Sequence, residues 1–177
     1  QCDILKIPLY KVSNVTSDKT INLLKTLSID LILLVVLDVI VKDKFLGTSK
    51  YGVISSHGGA LPHYRGNDCL RWAVLNKENE IGISTIMLNS GVDTGDIISN
   101  YLINLENELP CDIEQLGKKL YYHKKLYSYL SPIKQLIKTK KIEVKKQKIS
   151  EGKQYFSMHN ELSKIVDKIL LKEDINS

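Results

Sequence analysis

The sequence predicts an α/β fold in which helices flank a mostly parallel sheet. Three observations predict it. Residues 29–37 (I-D-L-I-L-L-V-V-L) form a nearly unbroken apolar run rich in β-branched side chains, as expected of a strand covered on both faces. Strand-like runs alternate with stretches of helical spacing along the chain. The length, 177 residues, suits one domain with a sizeable core.

Residues 4–10 (I-L-K-I-P-L-Y) read as a short strand with Pro8 near its edge. Ser17 or Asp18 can cap a helix that places Ile21, Leu24 and Leu27 on one face. The 29–37 strand follows, then a second buried strand over residues 52–56 (G-V-I-S-S). Asn67 or Asp68 can cap a helix through Leu70, Trp72, Ala73 and Leu75. Residues 83–89 and 97–103 are further strands, joined by S-G-V-D-T-G-D. From Asp112 to Leu130 the spacing is helical, with Ile113, Leu116, Leu120, Tyr127 and Leu130 on one stripe, and Pro132 should end or kink it. Residues 138–148 read as a surface connection with an edge strand. An amphipathic helix carrying Leu162, Ile165, Val166, Ile169 and Leu170 closes the chain. Residues 1–135 are thus expected to form the core, and residues 136–177 a basic connection and a helix packed upon it.

Charge and composition narrow the function classes. The net charge of +5 lies in the last part of the chain: residues 108–177 carry 15 basic and 9 acidic groups, against 10 and 11 before them. Of the 25 basic residues 23 are lysine, whereas arginine is the better reader of bases and phosphates. The cluster at 138–148 therefore reads as a solvated face, and nucleic acid is not the expected partner. A chain 43% hydrophobic and 25% charged is not collagen-like, disulfide-built or disordered. Its longest apolar run, Leu31 to Leu37, falls far short of a membrane span, and no secretory leader is read at its start, so a cytoplasmic setting is expected. Three scattered cysteines, Cys2, Cys69 and Cys111, argue against a disulfide framework and a structural zinc site, and no metal is expected. Gln1 in place of Met suits a fragment or a processed product.

Two stretches carry candidate chemistry. In residues 52–68 a buried strand runs into Gly58 and Gly59, Pro62 and Gly66, with Ser55 and His57 alternating onto one face of its end. Ligands of open α/β sheets bind outside such carboxyl ends. In residues 86–98, Asp93 and Asp96 lie in a glycine-bracketed loop between strands. If the strand carrying Met87 neighbours the one carrying Ile54, this loop meets His57. A carboxylate beside an imidazole stabilises the imidazolium, which suits stabilisation of a tetrahedral oxyanion. Each stretch alone also fits a plain structural role, His57 as a locally bonded strand-end histidine and Asp93 as ordinary turn chemistry. Phosphate-loop, H-E-x-x-H and G-x-S-x-G motifs are missing from the sequence.

Together the two stretches resemble the formyltransferase family, enzymes that use formyltetrahydrofolate to formylate an amine. The likeness rests on S-S-H-G-G-A-L-P-H-Y-R-G (55–66), W-A (72–73), G-I-S-T-I-M (82–87) and V-D-T-G-D-I-I (92–98), in the family's order. It covers residues 29–103. Q-Y-F-S-M-H (154–159) is similar to a C-terminal segment of members acting on amino sugars. The resemblance implies a Rossmann-like, mostly parallel formyltransferase sheet and 10-formyltetrahydrofolate as formyl donor. It implies that His57 and Asp93 are catalytic, with Ser55 standing where the family has asparagine. Asp38, Val39 and Ile40, with Asn89, Ser90 and Gly91, would hold the folate. The implied acceptor is a small-molecule amine, foremost that of an amino sugar nucleotide, with methionyl-tRNA or glycinamide ribonucleotide as alternatives. A folate-binding module weakened by Ser55 is a further alternative, since serine offers one hydroxyl donor where asparagine offers two. Self-association as a homodimer is left open. Members of the family begin with a strand–loop–helix–strand unit that the chain lacks by this alignment, roughly 50–60 residues. One sheet strand is therefore expected to be without a neighbour there.

Overall fold

The structure, a computed structural model, describes residue 2, residues 4–35 and residues 40–174, with the backbone alone at 121–123. In chain order the strands are β1 (Ile32–Leu34), β2 (Val53–His57), β3 (Tyr64–Gly66), β4 (Glu80–Met87), β5 (Asp96–Asn104) and β6 (Lys153–Tyr155). The helices are α1 (Asp18–Thr26), α2 (Asp43–Leu46), α3 (Cys69–Leu75), α4 (Ile113–Gly117), α5 (Lys125–Ser128), α6 (Leu130–Thr139) and α7 (Asn160–Leu171). A π-helical stretch, Lys118–Lys124, joins α4 to α5.

The α/β class stands, with helices packed against a four-stranded sheet of order β1-β2-β4-β5. The sheet is mixed. β1 and β2 run parallel, as do β3 and β6 in a separate two-stranded ladder, while β2–β4 and β4–β5 are antiparallel. β4 and β5 are joined directly by residues 88–95, a connection too short for a parallel crossover. Among the described residues β1 pairs on one side only. Ile32 and Leu34 pack on one face, whereas Leu33, on the other, is 38% exposed, so the strand is not covered on both faces as its sequence suggested. Of the expected strand 29–37, residues 36–37 lie outside the described residues.

Two apolar clusters hold the layers together. The larger joins Ile81 and Ile83 of β4 to Leu70, Ala73 and Val74 of α3, Leu116 and Leu120, and Val166 and Leu170 of α7. The smaller packs Phe45 of α2 and Val41 against Val53 of β2, with Leu24 of α1 and Ile32 and Leu34 of β1 around it. Ser17 caps α1 as expected, its hydroxyl accepting from Thr20 N–H at 3.3 Å. Asp68 occupies the corresponding place before α3 but points elsewhere: it accepts from Met158 N–H at 2.8 Å and ties the C-terminal segment down.

Further expectations are corrected. Residues 4–10 form no strand; Ile7 N–H turns back to Cys2 O, and Ile4, Leu5 and Leu9 stay exposed because no ladder receives them. Pro132 breaks the long helix as expected: the interruption falls at Tyr129, within the turn before it, and Pro132 itself sits in the first turn of α6, where a missing N–H is tolerated. The apolar stripe also changes phase. A π-helical turn holds more residues than an α-turn, so beyond Lys124 it is Tyr129 that is buried, while Tyr127 and Leu130 face solvent. The connection at 138–148 makes a single bridge, Lys145 with Ile97, in place of a full edge strand.

Candidate active site

β2 ends at His57, and a ladder on each side of it fixes where that residue points. His57 pairs with Ser84 and Ser55 with Ile86 of β4, while Ser55 pairs with Leu34 of β1. The imidazole is nearly buried, its side chain 10% exposed. His57 Nε2 lies 2.8 Å from Tyr64 O. A carbonyl only accepts, so Nε2 carries a hydrogen and donates it. This approach requires glycine at 59, where a Cβ would stand 2.4 Å from Tyr64 O and 2.7 Å from His57 Nε2.

Asp93 arrives from the β4–β5 loop. Its backbone is left-handed, with φ of 49°, and its Oδ2 sits 3.3 Å from His57 Nδ1. The same oxygen accepts from Gly66 N–H of β3 at 2.9 Å. The loop is organised from within by Asn89, whose side-chain oxygen accepts from Gly91 N–H at 3.1 Å and from the Thr94 hydroxyl at 2.8 Å.

The electrostatics depart from the expected charged imidazole. Burial pushes the His57 pKa below its ordinary value; Asp93 and the Tyr64 carbonyl pull it up, and the Lys125 ammonium pushes it down again. Desolvation wins because a nearly buried ring loses more from leaving water than one partly exposed carboxylate returns. Lys125 itself is held below the usual lysine range by burial, against the pull of Asp93. Cys69, close enough to feel the same carboxylate, has its thiol pushed to about 12 by burial and is inert as a nucleophile at neutral pH.

These groups meet at a cavity of about 630 Å³. Leu34, Val35, Ile40, Val41, Leu88 and Val92 are among its apolar lining, and Ser55, His57, Asp93 and Lys125 among its polar lining. The sequence-derived residues thus divide clearly. Ser55, His57, Asp93, Ile40, Asn89 and Gly91 line one cavity; Ser90 is exposed and outside the lining; Asp38 and Val39 lie outside the described residues. Ser55 lines the cavity, yet its hydroxyl donates to Leu34 O at 3.1 Å. Lys125 and Tyr129 were not legible as site residues. Tyr129 donates its hydroxyl hydrogen to Leu34 O at 2.6 Å and accepts from Ser56 N–H at 2.9 Å, bridging β1 and β2 beside the cavity. Both follow the π-helical stretch, whose phase change has no simple mark in the sequence. Among the described residues no group of three or more His, Cys, Asp or Glu side chains could hold a metal ion, and no helix is long and apolar enough to cross a membrane.

Methionyl-tRNA formyltransferase of Rickettsia prowazekii is 33% identical over 107 residues, 60% of this chain and 35% of that protein. The enzyme of the same name from Citrifermentans bemidjiense is 37% identical over 92 residues, 52% of this chain and 29% of that one. The chain therefore spans about a third of the length of these relatives. Among solved structures, an N-formyltransferase from Helicobacter canadensis in complex with folinic acid and dTDP-3-aminofucose has a TM-score of 0.55 at 25% identity, over 68% of this chain and 42% of that one. Methionyl-tRNA formyltransferase from Clostridium thermocellum shares the fold, with a TM-score of 0.64 at 19% identity over 91% of this chain and 68% of that one. Residues 3–123 match the family profile described as formyl transferase, well over half of the sequence, and the chain belongs to that family.

Proposed function

We propose that this chain carries the donor pocket and catalytic pair of an enzyme that moves the formyl group of 10-formyltetrahydrofolate to a primary amine. The observation that carries the reading is the His57–Asp93 pair, 3.3 Å apart, in the lining of a cavity of mixed apolar and polar character. A cavity of about 630 Å³ has the size and mixed lining of a cofactor pocket. Ile40, Asn89 and Gly91 would hold the folate from the walls. When bound, it supplies an electrophilic formyl carbon.

The pair handles the proton. An amine that becomes an amide sheds one hydrogen, and His57, kept neutral by burial, accepts it at Nδ1 beside Asp93. The imidazolium so formed, held by the carboxylate, would stabilise by its positive charge the oxygen where negative charge develops, and Nδ1 would return the proton to the leaving nitrogen. Lys125 adds positive charge to the lining of the same cavity. Ser55 contributes little while its hydroxyl is turned to Leu34 O, which supports a slow enzyme and keeps the weakened folate-binding module as the alternative.

Two acceptors are carried forward. An amino sugar nucleotide, the acceptor implied by the motif resemblance, is supported by the Helicobacter structure with dTDP-3-aminofucose. Methionyl-tRNA is supported by curated relatives of higher identity, 33% and 37% against 25%. The test incubates the chain with 10-formyltetrahydrofolate labelled at the formyl carbon and offers methionyl-tRNA and a dTDP-amino sugar separately. Mass spectrometry should find label on one of the two amines. Folate binding without transfer to either would leave the binding module, and failure to bind folate would overturn the reading.

A further inference from the structure

The lysine-rich connection between α6 and β6 carries one neutral side chain to the active-site loop. Lys145 exchanges backbone hydrogen bonds with Ile97 at 2.8 and 2.7 Å, which pins the connection beside the start of β5. Two residues on, the Gln147 side-chain nitrogen donates to Asp93 O at 2.9 Å and also to Gly95 O. Carbonyl oxygens only accept, so these bonds fix which end of the amide is nitrogen. Gln147 Oε1 is then buried with no hydrogen-bond partner among the described residues. A glutamine kept in place with an unsatisfied oxygen is held by what its nitrogen does.

What the nitrogen does is hold a strained turn. Asp93 is a non-glycine residue at φ of 49°, a region favouring glycine. Gly95 closes the turn so tightly that a Cβ there would stand 1.9 Å from Met87 O. On the side-chain side, Gly66 N–H and His57 meet Asp93 Oδ2. On the backbone side the hold is Gln147, which does not line the cavity.

We propose that Gln147 is a positioning residue: by bonding the Asp93 and Gly95 carbonyls it keeps the Asp93 carboxylate facing His57. The proposal rests on the reading of His57 and Asp93 as the catalytic pair and extends it to a residue the motifs do not contain.

The test is an NMR titration of the His57 ring in the 177-residue chain, in Gln147→Met and Gln147→Asn, and in Asp93→Asn as reference. Gln147→Met keeps the length and removes the donor; Gln147→Asn keeps the donor and withdraws it by one methylene. The groups facing His57 are Asp93, the Tyr64 carbonyl and Lys125, with the Cys69 thiol beside Asp93. Of these the substitutions disturb Asp93 alone. In both Gln147 variants the His57 midpoint should move down, in the direction of Asp93→Asn and by less. Formyl transfer should fall about 10- to 100-fold in kcat with little change in KM for the folate. An unchanged His57 midpoint in both folded variants, with Asp93→Asn still shifting it, would overturn the proposal. A shift in the titration with no formyl transfer by the parent chain would leave the positioning role standing and remove the formyltransferase reading instead.

Discussion

At the scale of single residues the site is a contest between desolvation and charge. His57 sits among one carboxylate, one carbonyl and one ammonium, and burial decides the sign, moving its titration below the ordinary value of about 6.5. A base of this kind works when neutral, so activity should rise with pH through a midpoint below that value and level off above it. Lys125→Met removes a charge that pushes the imidazole down, so the His57 midpoint and the acid limb of the pH–rate profile should both move up. A titration followed by NMR beside a rate profile checks both. Ser55 gives a second prediction at this scale. Asparagine reaches further into the cavity and offers two amide donors, and one oxyanion donor is worth on the order of 10²–10³ in kcat. Ser55→Asn should therefore raise kcat, by up to about 10²-fold, while an unchanged rate would show that residue 55 does not face the reacting oxygen.

At the scale of elements, legibility followed the range of the forces. The strands and glycines around residues 52–66 and 86–98 were readable because steric demands there are local: only glycine lets Tyr64 O approach His57, and only glycine lets the loop close on Met87. The 4–10 run misled because a strand exists only where a ladder receives it, and the helix beyond Lys118 misled because the π-helical stretch rotates the buried face. That rotation brings Tyr129 and Lys125 to the site. Tyr129→Phe leaves the buried Ser56 N–H and Leu34 O without this partner and should cost about 1–3 kcal/mol in denaturant unfolding. It should also weaken folate binding, since β1 and β2 lose their bridge beside the cavity.

At the scale of the whole molecule, the C-terminal residues are tied to the core they follow. α7 buries Val166 and Leu170 against α3 and β4, and Cys111 N–H meets Leu170 O at 3.0 Å. Leu170→Ala should destabilise the chain by about 2–5 kcal/mol, read from the urea midpoint. Both arginines are used internally: Arg65 is buried among the Pro62, Ile149 and Gly152 carbonyls, and Arg71 pairs with Asp167 at 3.0 Å. The basic excess thus remains a matter of lysine, as composition indicated, whereas the placement of Gln147 within that lysine run emerged only from tertiary contacts. The account stands on His57 and Asp93 working as one unit over the cavity. Its most direct test is the rate of formyl transfer in Asp93→Asn, with circular dichroism to establish that the fold is kept. Loss of the carboxylate should lower turnover by about 10²- to 10⁴-fold; a folded variant turning over at the parent rate would contradict the account.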